Sequence, residues 1–210
     1  RTQIRLAGAH LTQYVPVDPD WWSLRQSPGH PLEMALLTKL GLPRLTNSVL
    51  AVLTALALYP ALTAWHNERI AFLGVVLLLF SPLSLLALHY YSMDTFAGGI
   101  WPLIAGALLL RYAASEPSTL RQPILLSLAG FAAGWATVVR QTNVLLSGVF
   151  ALFFLYTVWS KRPQPINNNR SHTLFLRSSW QHLVAFGGGV LVAVAILALY
   201  NNLAFGNPLA

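Results

Sequence analysis

Apolar residues in this chain come in long blocks, several of them a little short or interrupted. They lie at roughly 45–65, 70–91, 95–113, 123–139, 143–159 and 183–200, separated by polar seams. Each block is near the roughly 20 residues that a helix needs to cross the hydrocarbon core of a bilayer. The pattern predicts about six transmembrane helices. The connections are "HNER" at 66–69, "YSMD" at 91–94, "ASEPSTLRQ" at 114–122, "RQTN" at 140–143 and the longer polar stretch 161–182. Pro82 and Pro102 fall inside blocks and predict kinks, which membrane helices tolerate. "GGG" at 187–189 permits close helix contact, and "YNNLAFGNPLA" leaves the last span as a Gly/Asn/Pro turn.

Residues 1–44 read differently. Pro16, Pro19, Pro28, Gly29 and Pro31 break any long helix, so the first half of this region reads as an extended loop. From Pro31 to Leu40 the apolar residues Leu32, Ala35, Leu36, Leu37 and Leu40 share one face at helical spacing, with Glu33 and Lys39 off it. That segment is too short and too charged to span and predicts a helix lying in the membrane surface. Trp21 and Trp22 suit the same interface. The expected architecture is all-α: an outer loop with an interfacial helix (1–44), a polytopic helical bundle (45–200) and the start of another outer loop (201–210).

Composition agrees. The 210 residues are 55% hydrophobic and 9% charged, with mean hydropathy +0.56, far from the roughly one-quarter charged content of a soluble domain. The net charge of +7 lies in the loops, so membrane topology accounts for it and no nucleic-acid partner is expected. Alternation assigns 66–69, 114–122 and 161–182 to one side, with Arg69, Arg121, Lys161, Arg162, Arg170 and Arg177; the excess of positive charge makes that side cytoplasmic. Loops 1–44, 91–94, 140–143 and 201–210 are then extracytoplasmic. The membrane would be the plasma or inner membrane of a prokaryote, or the endoplasmic reticulum of a eukaryote. The absence of cysteine excludes disulfides and thiolate metal sites. Six scattered histidines form no ligand spacing, and no nucleotide-binding or serine-hydrolase motif occurs. The sequence thus requires no cofactor and leaves a divalent metal undecided. With Arg first and no signal peptide, the chain reads as an internal piece of a longer protein.

Polar chemistry concentrates outside. Four of the six acids (Asp18, Asp20, Glu33 and Asp94) are there, with Trp21, Trp22, His30, His89, Tyr90, Tyr91, Arg140 and Asn201–Asn202. A charge at mid-bilayer costs about 2.5–3.5 kcal/mol on insertion scales, so Arg140 must reach the interface or a partner. Two readings stand: a turn arginine that snorkels to water, or one that, with Gln141, Asn143 and the amides opening the next helix, holds a phosphate. Thr142 or Asn143 also fits a plain helix cap. Asp94 is either the cap of the third span or a group orienting a hydroxyl. Asp18 and Asp20 beside Trp21 form either a sugar-binding set or a proline turn at the interface.

The order of "SPGHPLEMALLTKLG" before "RLTN", then "FSPLSLLALHYYSMD", "GFAAGWATVVRQTN" and "YNNLAFGNPL", resembles the GT-C class of membrane glycosyltransferases. The likeness is to the protein-mannosyltransferase and aminoarabinose-transferase type, which take a sugar from a polyprenyl-phosphate carrier on the extracytoplasmic side. The "DP…PG" loop, "YYSMD" and "RQTN" are also similar to the eukaryotic glucosyltransferase that uses dolichyl-phosphate-glucose, while "FGNPL" is more like the bacterial branch. The resemblance implies a membrane-lipid-borne, polyprenyl-phosphate-linked sugar donor and an acceptor hydroxyl on a glycan, lipid or protein. It implies a catalytic aspartate at the start of the first outer loop, at or before Arg1; Asp18 and Asp20 are the loop carboxylates present. Arg140, Gln141 and Asn143 would hold the donor phosphate, and Asp94, His30, Trp21, Tyr91 and Asn201 the substrates. A transporter or flippase of lipid-linked sugars shares the apolar spans and the outer polar cluster, but should carry polar groups near mid-membrane. A non-catalytic membrane scaffold needs no such concentration of outer acids.

Overall fold

The computed structural model describes residues 28–89, 94–115, 121–160 and 169–205. Among these described residues eight α-helices follow one another: α1 (Gly29–Lys39), α2 (Thr46–Trp65), α3 (Glu68–Leu79), α4 (Pro82–His89), α5 (Asp94–Ala114), α6 (Arg121–Val139), α7 (Val144–Ser160) and α8 (Asn169–Phe205), with 3-10 turns at Pro43–Leu45 and Gln141–Asn143. No strand occurs among the described residues. Segments Thr46–Trp65, Phe96–Ala114, Arg121–Val139, Gln141–Ser160 and Trp180–Leu203 are long and apolar enough to cross a bilayer. The chain is an all-α, membrane-embedded helical bundle.

One expected span, 70–91, is divided. Its helix stops at Leu79 and restarts at Pro82, because proline has no N–H to give the carbonyl four residues back and its ring crowds that carbonyl. The carbonyl concerned belongs to Leu78, and the Ser84 hydroxyl donates to it at 2.5 Å. Ser81 Oγ in turn accepts the Ser84 backbone N–H at 3.2 Å. The break is therefore self-satisfied, as apolar surroundings demand. Pro102 has no such effect, and α5 runs through it.

The pair α3–α4 still returns the chain across the bundle. Gly74 packs on the Leu62 side chain, making α2 and α3 a hairpin whose turn is capped by Asn67 Oδ1 accepting Ile70 N–H at 2.9 Å. Trp65, ending α2, donates to Leu110 O near the end of α5 at 3.0 Å. So α2 and α5 run the same way, with one return between them.

Helices α5 and α6 form the centre: 56% and 61% of their apolar windows are buried, against 17–22% for α2, α7 and α8. Small residues let α8 lie directly on α6. Gly130 meets the Phe186 carbonyl, Gly189 meets the Ser127 carbonyl, and a Cβ on Gly134 would stand 2.9 Å from that of Ala193. Backbones can approach this closely only where side chains are absent. Of the glycine run at 187–189, only Gly189 serves this contact; a Cβ on Gly187 or Gly188 would meet open space.

One further expectation is corrected. Residues 169–182 are not loop but the first part of the 37-residue α8. No Gly or Pro interrupts that stretch, so a helix anchored by its apolar part extends through it. The helix expected at 31–40 is α1. Leu36 and Leu40 are 65% and 64% exposed, while Gly29, His30, Pro31 and Met34 are buried. Glu33, which lies off the leucine face, is 10% exposed and points into the bundle.

Candidate functional site

At one end of the bundle, α1, the start of α5, the end of α6 and the 140–143 turn converge. Glycine allows the approach: a Cβ on Gly29 would stand 2.6 Å from Val139 Cα, and one on Gly98 would stand 3.1 Å from Arg140 Cδ. The turn is tied down by Asn143. Its Nδ2 donates to Gly98 O at 2.7 Å and to Ala136 O at 3.0 Å, and its backbone N–H donates to Arg140 O at 2.9 Å. A hydroxyl pair, Thr137 and Ser147 at 3.1 Å, adds a link between α6 and α7, and Ser147 donates to Ala133 O at 2.7 Å. With both side-chain N–H groups committed to carbonyls, Asn143 offers none to an anion. It positions the turn.

Arg140 is exposed, with its aliphatic stem on Gly98. Among the described residues its guanidinium pairs with no carboxylate. It stands at the mouth of a groove of about 590 Å³ between α5 and α7. Gly98, Gly99, Pro102, Leu103, Gly106 and Leu110 form one wall, and Leu146 and Phe150 face them. From Gly98 to Leu110 the wall extends about 18 Å at the helical rise of ~1.5 Å per residue. The groove is apolar along that length, and the charge is at one end. Such a shape suits a molecule with an anionic head and a long hydrocarbon tail.

A second constellation lies beside it. The Glu33 carboxylate of α1 accepts at Oε1 from two indoles, Trp101 Nε1 of α5 and Trp135 Nε1 of α6, each at 2.6 Å. Its Oε2 lies 3.2 Å from His30 Nδ1. Three helices thus meet on one carboxylate. Phe131 stacks on Trp135 (5.8 Å between centroids), and both meet Trp101 edge-on. His30 is 2% exposed, and its Nε2 is buried without a partner among the described residues.

Of the residues singled out from the sequence, Arg140, Gln141, Asn143 and His30 come together at this end. Gln141 is exposed beside Arg140. Asn201 is buried near the end of α8, which runs parallel to α6, so it is carried toward the same end. Asp94 is the first residue of α5, with its side chain outside the described set. Asp18, Asp20, Trp21 and Tyr91 lie outside the described residues. Trp101 and Trp135 were missed, and Glu33 was read as one of the outer acids, off the leucine face of its helix. The available signal was the indole N–H, which seeks a partner when buried, with Glu33 an acid close to those blocks. No group of three or more His, Asp or Glu that could hold a metal occurs among the described residues. No family model, curated protein or solved structure matches the chain.

Proposed function

We propose that this chain is part of a membrane glycosyltransferase that moves a sugar from a polyprenyl-phosphate carrier to an acceptor hydroxyl at the extracytoplasmic face. The observation that carries the reading is the Arg140 guanidinium, which pairs with no carboxylate among the described residues, beside the apolar groove behind it. A polyprenyl phosphate has the complementary form: one anionic head on a hydrocarbon chain. As the glycosidic bond breaks, the leaving phosphate gains negative charge, and a cation fixed where that charge develops lowers the barrier. A guanidinium can engage two phosphate oxygens at once. The reaction also needs a group to take the acceptor's proton; the resemblance puts that aspartate at or before Arg1, and Asp18 and Asp20 are the aspartates of the first outer loop that this sequence contains. Polar side chains gather at one mouth of the groove while its length is apolar. That favours a site at the rim over a path for moving a polar sugar through the membrane.

The test is transfer in native membranes from a panel of labelled polyprenyl-phosphate hexoses and pentoses. Arg140→Ala should abolish transfer while leaving insertion intact, and Arg140→Lys should retain part of it. Full activity in Arg140→Ala discards the reading.

A further inference from the structure

We propose that Pro102 is a positioning residue for the Arg140 guanidinium, acting through the Gly98 carbonyl and Asn143. This rests on the sugar-transfer reading and adds to it the device that fixes the cation at the groove mouth. Proline carries no N–H, so inside a helix it leaves the carbonyl four residues earlier without its usual donor. In α5 the proline is Pro102, and the carbonyl four residues earlier is that of Gly98. The proline ring also crowds that carbonyl and pushes it away from the helix. Asn143 Nδ2 donates to this oxygen at 2.7 Å. At Pro82 the freed carbonyl is answered from within the same segment, by Ser84. At Pro102 it is answered by the turn that carries the cation.

The other acceptor of Asn143 is of a different kind. Ala136 O already receives the Arg140 N–H at 2.9 Å and takes Nδ2 at the longer 3.0 Å. The bond to Gly98 is the shorter, and it carries the 140–143 turn across to α5. Gly98 also bears the stem of Arg140: a Cβ there would stand 3.1 Å from Cδ and 3.4 Å from Cβ of the arginine. One residue of α5 therefore holds the turn by its carbonyl and the arginine by its bare Cα. Gly98, Pro102 and Asn143 are all buried, so water offers no substitute partner if the link is lost. An N–H at position 102 would draw the Gly98 carbonyl back along α5 and away from Asn143. Arg140 would then no longer be held where the phosphate charge develops, and fixed placement is what makes such a cation effective.

The experiment compares wild type, Pro102→Val, Asn143→Ala, the double variant of these two, and Arg140→Ala, all as full chains. Half-saturation of photolabelling by a diazirine-tagged polyprenyl phosphate is measured in native membranes. Amide hydrogen exchange of residues 140–143 is measured on the purified proteins. Valine is close to proline in size and keeps the groove lining apolar, yet it restores the N–H. Pro102→Val should raise the half-saturation concentration about tenfold, the worth of one well-placed hydrogen bond, and should quicken exchange in the turn. Asn143→Ala should do the same. The double variant should label no more weakly than either single one, because both changes remove one shared link. Effects that instead multiply to about 100-fold, as those of independent sites do, overturn the inference. So does labelling in Pro102→Val within about twofold of wild type, or unchanged exchange in the turn. Pro102→Ala covers the case in which the branched valine does not fit α5; failure of both variants to fold makes the proline a requirement of the helix itself and also overturns the inference. Labelling that Arg140→Ala leaves untouched, with exchange still quickened in Pro102→Val, sinks the reading of the groove instead.

Discussion

The side-chain amide of Asn143 donates to the carbonyl of Gly98 at 2.7 Å, joining the 140–143 turn to the second turn of α5. With its second bond to Ala136 O, this one residue sets where Arg140 stands relative to the groove. Asn143→Ala should lower stability by about 1–3 kcal/mol, the range for leaving buried hydrogen-bonding groups unmet. The melting temperature of the purified protein in detergent checks it. Asn143→Asp should fare worse, because a carboxylate would face two carbonyl oxygens.

The groove itself can be filled. A Cβ on Gly106 would stand 3.4 Å from the Phe150 ring, within ordinary contact. Gly106→Leu should therefore fold yet occupy the space between α5 and α7. Photolabelling by polyprenyl phosphate should drop about tenfold, corresponding to roughly 1.4 kcal/mol of binding free energy. Undiminished labelling would mean that the hydrocarbon chain binds elsewhere.

Trp135→Phe keeps the ring on Phe131 and removes one donor from Glu33. Because the acceptor is charged and nearly buried, the loss should be about 1.5–3 kcal/mol. Limited proteolysis at α1, compared with the wild type, reads whether that helix has loosened from the bundle.

The seam between α6 and α8 should tolerate nothing larger than glycine at two places. A Cβ on Gly130 or Gly189 falls on a backbone carbonyl of the facing helix, which no rotamer change relieves. Gly130→Ala and Gly189→Ala should each reduce the yield of folded protein severely, whereas Gly188→Ala, which meets open space, should behave as wild type. Size-exclusion profiles after extraction distinguish the cases.

Much of this architecture was legible because apolar length is a strong signal. The helices at 46–65, 94–114, 121–139 and 144–160 fall within a few residues of their expected spans. Two things were not legible, for physical reasons. Hydrophobicity separates core from surface in water, but in a bilayer both the lipid face and the core are apolar. The leucines of α1 therefore did not tell which side rests on the bundle, where Leu36 and Leu40 point outward and Glu33 inward. Proline posed the second difficulty. Pro82 and Pro102 look alike in the sequence, yet one ends a helix and the other does not. At the break, Ser84 and Ser81 supply the hydrogen bonds that the missing N–H leaves open. At the site, the seam at 140–143 was recognised by its polar residues alone. The role of Asn143 as a tether emerged only with the carbonyls of Gly98 and Ala136 in place.

One helix links these regions. Near its middle α6 is gripped by α8 at Gly130 and Gly134; the next residue is Trp135, and the helix ends against Gly29 just before Arg140. Because that grip is backbone against backbone, α6 behaves as a ruler that cannot slip in its clamp. The interval between the indole anchoring Glu33 and the guanidinium at the groove mouth is thereby held constant. A disturbance on the far flank of α8, remote from any ligand, would still be registered at the rim as a change in that interval.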